Sequence, residues 1–258
     1  MMLDEPYRFA EAVSNRRDYI EDQLRGGSPV VGATYSEGML LLTMGRGQQK
    51  LYETYDRIAM GSVGHPTDIE KLRQSAVDLA SVVGFNYSEA DVTLQQIVHF
   101  GLGPSVKASF DDIIRSPYIA RILLAELDGD HGSLFYTVDY DGSFATHLGH
   151  ACVGGSSDSD PVMRLILNSY HDPDDSLASA LNVCLRAWAA GRTIGLRVEA
   201  ASDDGVVVED DEVSATLREA VEDLTVEAIV LNRTRNGKSK YQTLKMEETQ
   251  TAVDAVLS

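Results

Sequence analysis

The chain has 258 residues, 43% of them hydrophobic and 24% charged, with a formal net charge of -18. Length and composition fit a globular chain able to bury a sizeable core as one large domain or two small ones. The negative charge and the lack of a clustered basic patch argue against nucleic-acid binding, no stretch reaches the ~20 apolar residues of a membrane span, and two distant cysteines, Cys152 and Cys184, suggest no disulfide framework.

The opening MMLDEPYRFAEAV has neither a basic lead-in nor an apolar core. No secretory signal is expected, and a cytoplasmic, reducing location is predicted. Residues 6–25 read as a helix, with Phe9, Ala12, Val13, Arg16, Ile20 and Leu24 at helical spacing, and Gly26-Gly27 stops it.

The period then shortens. Residues 30–35 and 39–43 flank Ser36-Glu37-Gly38 as a hairpin, and a second pair, 50–54 and 57–62, flanks Tyr55-Asp56. His65-Pro66-Thr67-Asp68 opens a helix lined by Ile69, Leu72, Ala76, Leu79, Ala80 and Val83, which Gly84 is expected to end. A further helix is predicted over 91–102. Strands follow at 118–127, 133–139 and 143–148, separated by Asp128-Gly129-Asp130 and Asp141-Gly142. Gly154-Gly155 precedes a helix over 160–170. Asp172-Pro173-Asp174-Asp175-Ser176 begins another, running to Ala190, with its acids suited to the helix dipole.

Beyond Gly191 the pattern weakens. Residues 194–200 suggest a strand, and 206–224 an insertion with one short helix. Residues 227–232 and 240–246 form a closing hairpin around Asn236-Gly237, and 247–257 a last helix. The acidic runs at 172–175 and 203–212 read as solvated loops. Hairpin-linked strands alternating with helix pairs predict an α+β fold: a four-layer α-β-β-α sandwich of two antiparallel sheets. With no repeat and no linker, residues 1–258 read as a single domain.

This layout resembles the N-terminal-nucleophile (Ntn) hydrolase fold of proteasome subunits. Gly27-Ser28-Pro29-Val30-Val31-Gly32 resembles the family's first strand, and Lys50-Leu51-Tyr52-Glu53 with Tyr55-Asp56-Arg57-Ile58 resembles its second hairpin. Gly61-Ser62-Val63-Gly64, followed by Asp68 and Arg73, is similar to the lead into its first long helix. Tyr140-Asp141-Gly142-Ser143 and Val153-Gly154-Gly155 match later turns. The resemblance covers about residues 6–191, is nearest to the actinobacterial α-type subunits, and leaves about 192–223 as an acidic insertion.

In that family the β-type subunits cleave peptides with a threonine that becomes the N-terminus, its own amine serving as base. The matching position here is Ser28, after Gly27. Pro29 follows the hydroxyl, Met44 stands where active subunits carry aspartate, and the preceding residues pattern as a helix. The resemblance therefore implies a non-catalytic α-type subunit of a 20S proteasome core, with no catalytic residue. It implies a homo-heptameric outer ring stacked on proteasome β-type subunits. Residues before about Pro6 would gate substrate entry for protein degradation. It also implies a pocket at Lys50 and Gly64 for the C-termini of a ring-shaped ATPase or another activator. Two alternatives stay open: a self-processing peptidase with Ser28 as nucleophile, and a divergent ring-forming homologue without a protease partner.

No cofactor or metal is expected. His147 and His150, near Cys152, would point to opposite faces of one strand and could not share an ion. Asp128-Gly129-Asp130 is too short for a calcium loop, and Gly45-Arg46-Gly47 lacks the lysine-hydroxyl pair of a phosphate loop. Trp188, the only tryptophan, falls on one stripe with Cys184 and Leu185 and suggests core or interface.

Overall fold

A computed structural model describes residues 5–112, 114–129, 132–197 and 208–257, with side chains from residue 10 onward. Its elements in order are α1 (Glu5–Leu24), β1 (Val30–Tyr35), β2 (Gly38–Gly45), β3 (Leu51–Tyr55), β4 (Ile58–Gly64) and α2 (Pro66–Asn86). A short α3 (Leu94–Gln96), a π-helical turn (Ile97–Leu102) and α4 (Gly103–Asp111) follow. Next come β5 (Ala120–Gly129), β6 (Gly132–Val138), β7 (Phe144–His147), β8 (His150–Val153), α5 (Ser159–Tyr170) and α6 (Leu177–Leu196). The described chain closes with α7 (Asp210–Asp223), β9 (Thr225–Asn232), β10 (Tyr241–Thr243) and α8 (Met246–Leu257).

The strands form two antiparallel five-stranded sheets, ordered β10-β9-β2-β1-β8 and β3-β4-β5-β6-β7. Alternation along each strand divides the apolar residues between two faces. Val30, Met39 and Leu41 of the first sheet meet Ala59, Leu123 and Phe135 of the second. The alternate residues Val31, Leu40 and Leu42 face α5, α6, α7 and α8, and Ile58, Met60 and Ile122 face α2 and the 94–111 segment. The α+β, four-layer sandwich expected from the sequence is the observed fold. Gly32 permits the close approach of the sheets, since a Cβ there would lie 2.6 Å from the Phe135 ring.

Several local expectations are corrected. Gly84 does not end α2, which runs to Asn86; a Cβ at Gly84 would lie 2.2 Å from the Tyr55 hydroxyl, so the glycine admits a packed ring. The helix expected at 91–102 starts at Leu94 and reaches Asp111. It passes Gly103-Pro104 through a π-helical turn, in which the Gly103 N–H bonds the Val98 carbonyl. The acids at 172–175 precede α6, whose N-cap is Ser176. That helix continues past Gly191 to Leu196 because the glycine lets Met163 of α5 approach: a Cβ would meet its sulfur at 2.3 Å.

The strand expected at 194–200 is therefore helical as far as Leu196, and residues 198–207 lie outside the described residues. Within the acidic segment, α7 spans 14 residues, opens with a capping box between Glu209 and Glu212, and buries Val213, Leu217 and Ala220. His147 and His150 do not share a strand; they belong to different sheets. Among the described residues, no helix is long and apolar enough to cross a membrane.

The N-terminal helix crosses one end of the sandwich. Ile20 and Leu24 are buried with Phe110, beside Ile119 and Tyr140. Arg16 donates to the carbonyls of Ser109 (3.1 Å), Phe110 (2.7 Å) and Arg115 (2.8 Å), and the Tyr140 hydroxyl donates to Glu21 (2.7 Å).

Candidate functional site

The antiparallel register brings the candidate residues to one end of the sheets. β1 starts where β2 finishes, with Val30 opposite Thr43, and β3 starts where β4 finishes, with Leu51 opposite Gly61. Ser28, Met44, Lys50 and Gly64 consequently line one pocket of about 390 Å³. Arg46 and Arg192 line it too. No lining residue is acidic, although the chain carries a net charge of -18.

The Ser28 hydroxyl is committed in both directions. It donates to the Met44 carbonyl (2.6 Å) and accepts from the indole N–H of Trp188 (3.0 Å). Its backbone lies within a continuous chain whose preceding residues are packed: Gly27 N–H bonds the Leu24 carbonyl (2.8 Å), and Arg192 donates to the Gly26 carbonyl. A Cβ on Gly155 would stand 2.7 Å from the Gly27 carbonyl, so the two glycines let these backbones touch. An internal serine has no α-amine to act as its base. Met44, fully buried, supplies no carboxylate there.

Lys50 sits at the entry to β3. Its ammonium donates to the Ser28 carbonyl (2.6 Å) and to Thr43 Oγ1 (3.1 Å), and Thr43 in turn donates to the Pro29 carbonyl (2.7 Å). An ammonium has three donors. The third has no partner among the described residues, while the side chain lines the pocket. Behind it, the Glu227 carboxylate accepts the backbone N–H groups of Lys50 (2.9 Å) and Leu51 (2.8 Å), fixing the start of β3.

Burial favours neutral amine over ammonium, and Arg192 adds to this against an opposing pull from Glu227. The Lys50 pKa falls to about 7. Burial also raises the Glu227 pKa, against the backbone hydrogen bonds and Lys50, which lower it. Near neutral pH, Lys50 can therefore gain or lose its proton. Protonated, it offers an N–H to the pocket; neutral, both its donors are already used.

Gly64 closes β4 at φ +140°, and a Cβ there would stand 2.1 Å from the Ile119 carbonyl. No side chain fits at that point of the wall. Sequence reading brought Ser28, Lys50 and Gly64 forward, and the fold gathers them. It missed Glu227, Arg192, Thr43 and the role of Trp188. The available signal for Glu227 was a carboxylate inside the apolar strand Thr225–Asn232.

The family model described as proteasome subunit matches residues 25–194. Among curated relatives, a proteasome subunit alpha of Frankia casuarinae is 29% identical over 197 residues, covering 74% of this chain and 80% of the relative. One of Jonesia denitrificans is 30% identical, covering 69% and 74%. One of a Nocardioides species is 26% identical over 238 residues, covering 91% and 83%.

Proposed function

Because this chain belongs to the proteasome subunit family, we propose that it is a non-catalytic α-type subunit of a proteasome core. In this role it forms a homo-heptameric ring upon β-type subunits in the cytoplasm and regulates entry of proteins to be degraded. The observation that carries the non-catalytic assignment is Ser28: an internal residue, its hydroxyl held between Met44 and Trp188, with buried Met44 in place of a carboxylate. The anchored α1 supports the same reading. A segment held by three guanidinium contacts and two buried apolar side chains is part of the fold rather than a disposable leader. Entry gating is assigned to the residues before Pro6, of which residues 1–4 lie outside the described residues.

The pocket at Lys50 and Gly64 is the docking site for the C-terminal carboxylate of an activator, an ATPase ring or another ring-shaped partner. Three cationic side chains and no acidic lining residue favour an anion on an otherwise acidic protein. The third donor of Lys50, without a partner among the described residues, gives that carboxylate a partner at the pocket wall. A docked tail that fits the open state better would bias the gate towards opening.

Docking is expected to take up a proton, because the charged form of Lys50 binds. Activator affinity should fall as pH rises through about 7, and this dependence should vanish in Lys50→Met. Lys50→Ala should reduce activator-stimulated proteolysis by on the order of tenfold or more, as loss of a desolvated charge partner does, while rings remain intact by native mass spectrometry. Unchanged stimulation would remove the pocket from the account.

A further inference from the structure

The edge of the first sheet carries a pair of imidazoles that the proposed function does not use. His150 opens β8 and lies opposite Ala33 in the register. His171 follows the last turn of α5. Their Nδ1 atoms face each other at 3.4 Å, with ring planes at 71°.

Each ring's other nitrogen fixes its proton. His171 Nε2 lies 2.9 Å from the Thr34 carbonyl, which can only accept, so Nε2 carries the hydrogen. His150 Nε2 lies 3.1 Å from the side-chain carbonyl oxygen of Asn168 and donates in the same way. In the neutral pair, both Nδ1 atoms are therefore bare acceptors, 3.4 Å apart.

Two imidazoles bound to one tetrahedral ion at 2.0–2.1 Å place their nitrogens roughly 3.3–3.4 Å apart, which is the separation seen here. Metal-bound histidines also characteristically donate their second N–H to a carbonyl or carboxylate, which fixes tautomer and ring orientation. Both rings do so with oxygen acceptors. We propose that His150 and His171 form a two-imidazole site for a zinc-class divalent ion. Magnesium and calcium prefer sets of oxygen ligands and do not suit two nitrogen donors. No third His, Cys, Asp or Glu ligand joins the pair among the described residues. Both rings are half-buried, so water or an added ligand completes the coordination. The bound ion would tie the outer strand β8 to the segment linking α5 and α6. His147, placed beside His150 in sequence, takes no part, since its Nε2 engages Thr137 at 3.0 Å.

The test is calorimetric titration of zinc chloride into the chelator-treated full-length chain, with imidazole nitrogen resonances followed by NMR. One zinc per chain is expected, moving the Nδ1 signals of both residues. His150→Gln or His171→Gln should each weaken binding by on the order of tenfold or more and abolish the zinc-dependent rise in Tm, while His147→Gln leaves both unchanged. Zinc binding that survives in the double variant would overturn the site. So would wild-type Nδ1 resonances that show a shared proton and ignore zinc, a result that does not depend on any variant folding.

Discussion

Replacing Arg121 with methionine should lower the unfolding free energy by about 3–5 kcal/mol, the cost typical of removing one member of a buried ionic group. Arg121, a residue 7% exposed, stands on β5 of one sheet, and its guanidinium is the centre of an ionic cluster. It makes a two-pronged contact with Asp139 (3.2 and 3.1 Å) at the end of β6 and reaches Asp160 (2.6 Å) in the first turn of α5. It also donates to the Gly154 carbonyl (3.0 Å), and Asp160 accepts the Gly154 N–H (2.8 Å). One side chain thus clips the second sheet to the junction of the first sheet with its helical layer. Methionine would fill similar space but leave two carboxylates facing each other without a cation. Arg121→Lys should lose less, since it keeps the charge but not the planar fork. Urea unfolding checks both. A loss under about 1 kcal/mol for Arg121→Met, the scale of a surface pair, would mean the cluster is solvated rather than structural.

Gly64→Ala should also be severe, about 3–5 kcal/mol, because two costs coincide. Its φ of +140° is a conformation that side chains rarely adopt, which alone costs about 1–3 kcal/mol. The added carbon would also stand 2.1 Å from the Ile119 carbonyl and 2.8 Å from Ala120 Cα, both backbone atoms held by strand pairing. Forced overpacking adds about 1–3 kcal/mol. Gly237 provides the control: its φ is +96°, but a Cβ there meets nothing within 4 Å. Gly237→Ala should therefore cost only about 1–2 kcal/mol. Similar losses at the two positions, measured by thermal or urea unfolding, would show that conformation alone governs Gly64.

The sandwich was readable because strand alternation and turn glycines are local signals. Residues 30–35 and 58–63 carry their apolar faces in the sequence itself. The helices were less readable where tertiary packing overrides local preference. Gly84 and Gly191 look like helix ends, yet each sits inside a helix because a neighbour, Tyr55 or Met163, occupies the space a side chain would need. Gly103-Pro104 looks like a break, but the π-helical turn absorbs it. At the site, Ser28, Lys50 and Gly64 were found through family motifs. Glu227, Arg192 and the contact of Trp188 with Ser28 were not, because all three residues lie well over 100 residues from Ser28 and only sheet pairing and α6 bring them near. The facing of His150 and His171 likewise depends on the return of the chain after α5.

The central claim, that this chain builds and gates a proteasome core without cutting peptides, is tested most directly by mass spectrometry of the purified chain. It should be measured native and denatured, alone and with a candidate β-type subunit. The prediction is a full-length protomer of 28.1 kDa within a ring or stacked complex. A protomer that begins at Ser28, having lost the residues that form α1, would contradict it and make Ser28 a nucleophile.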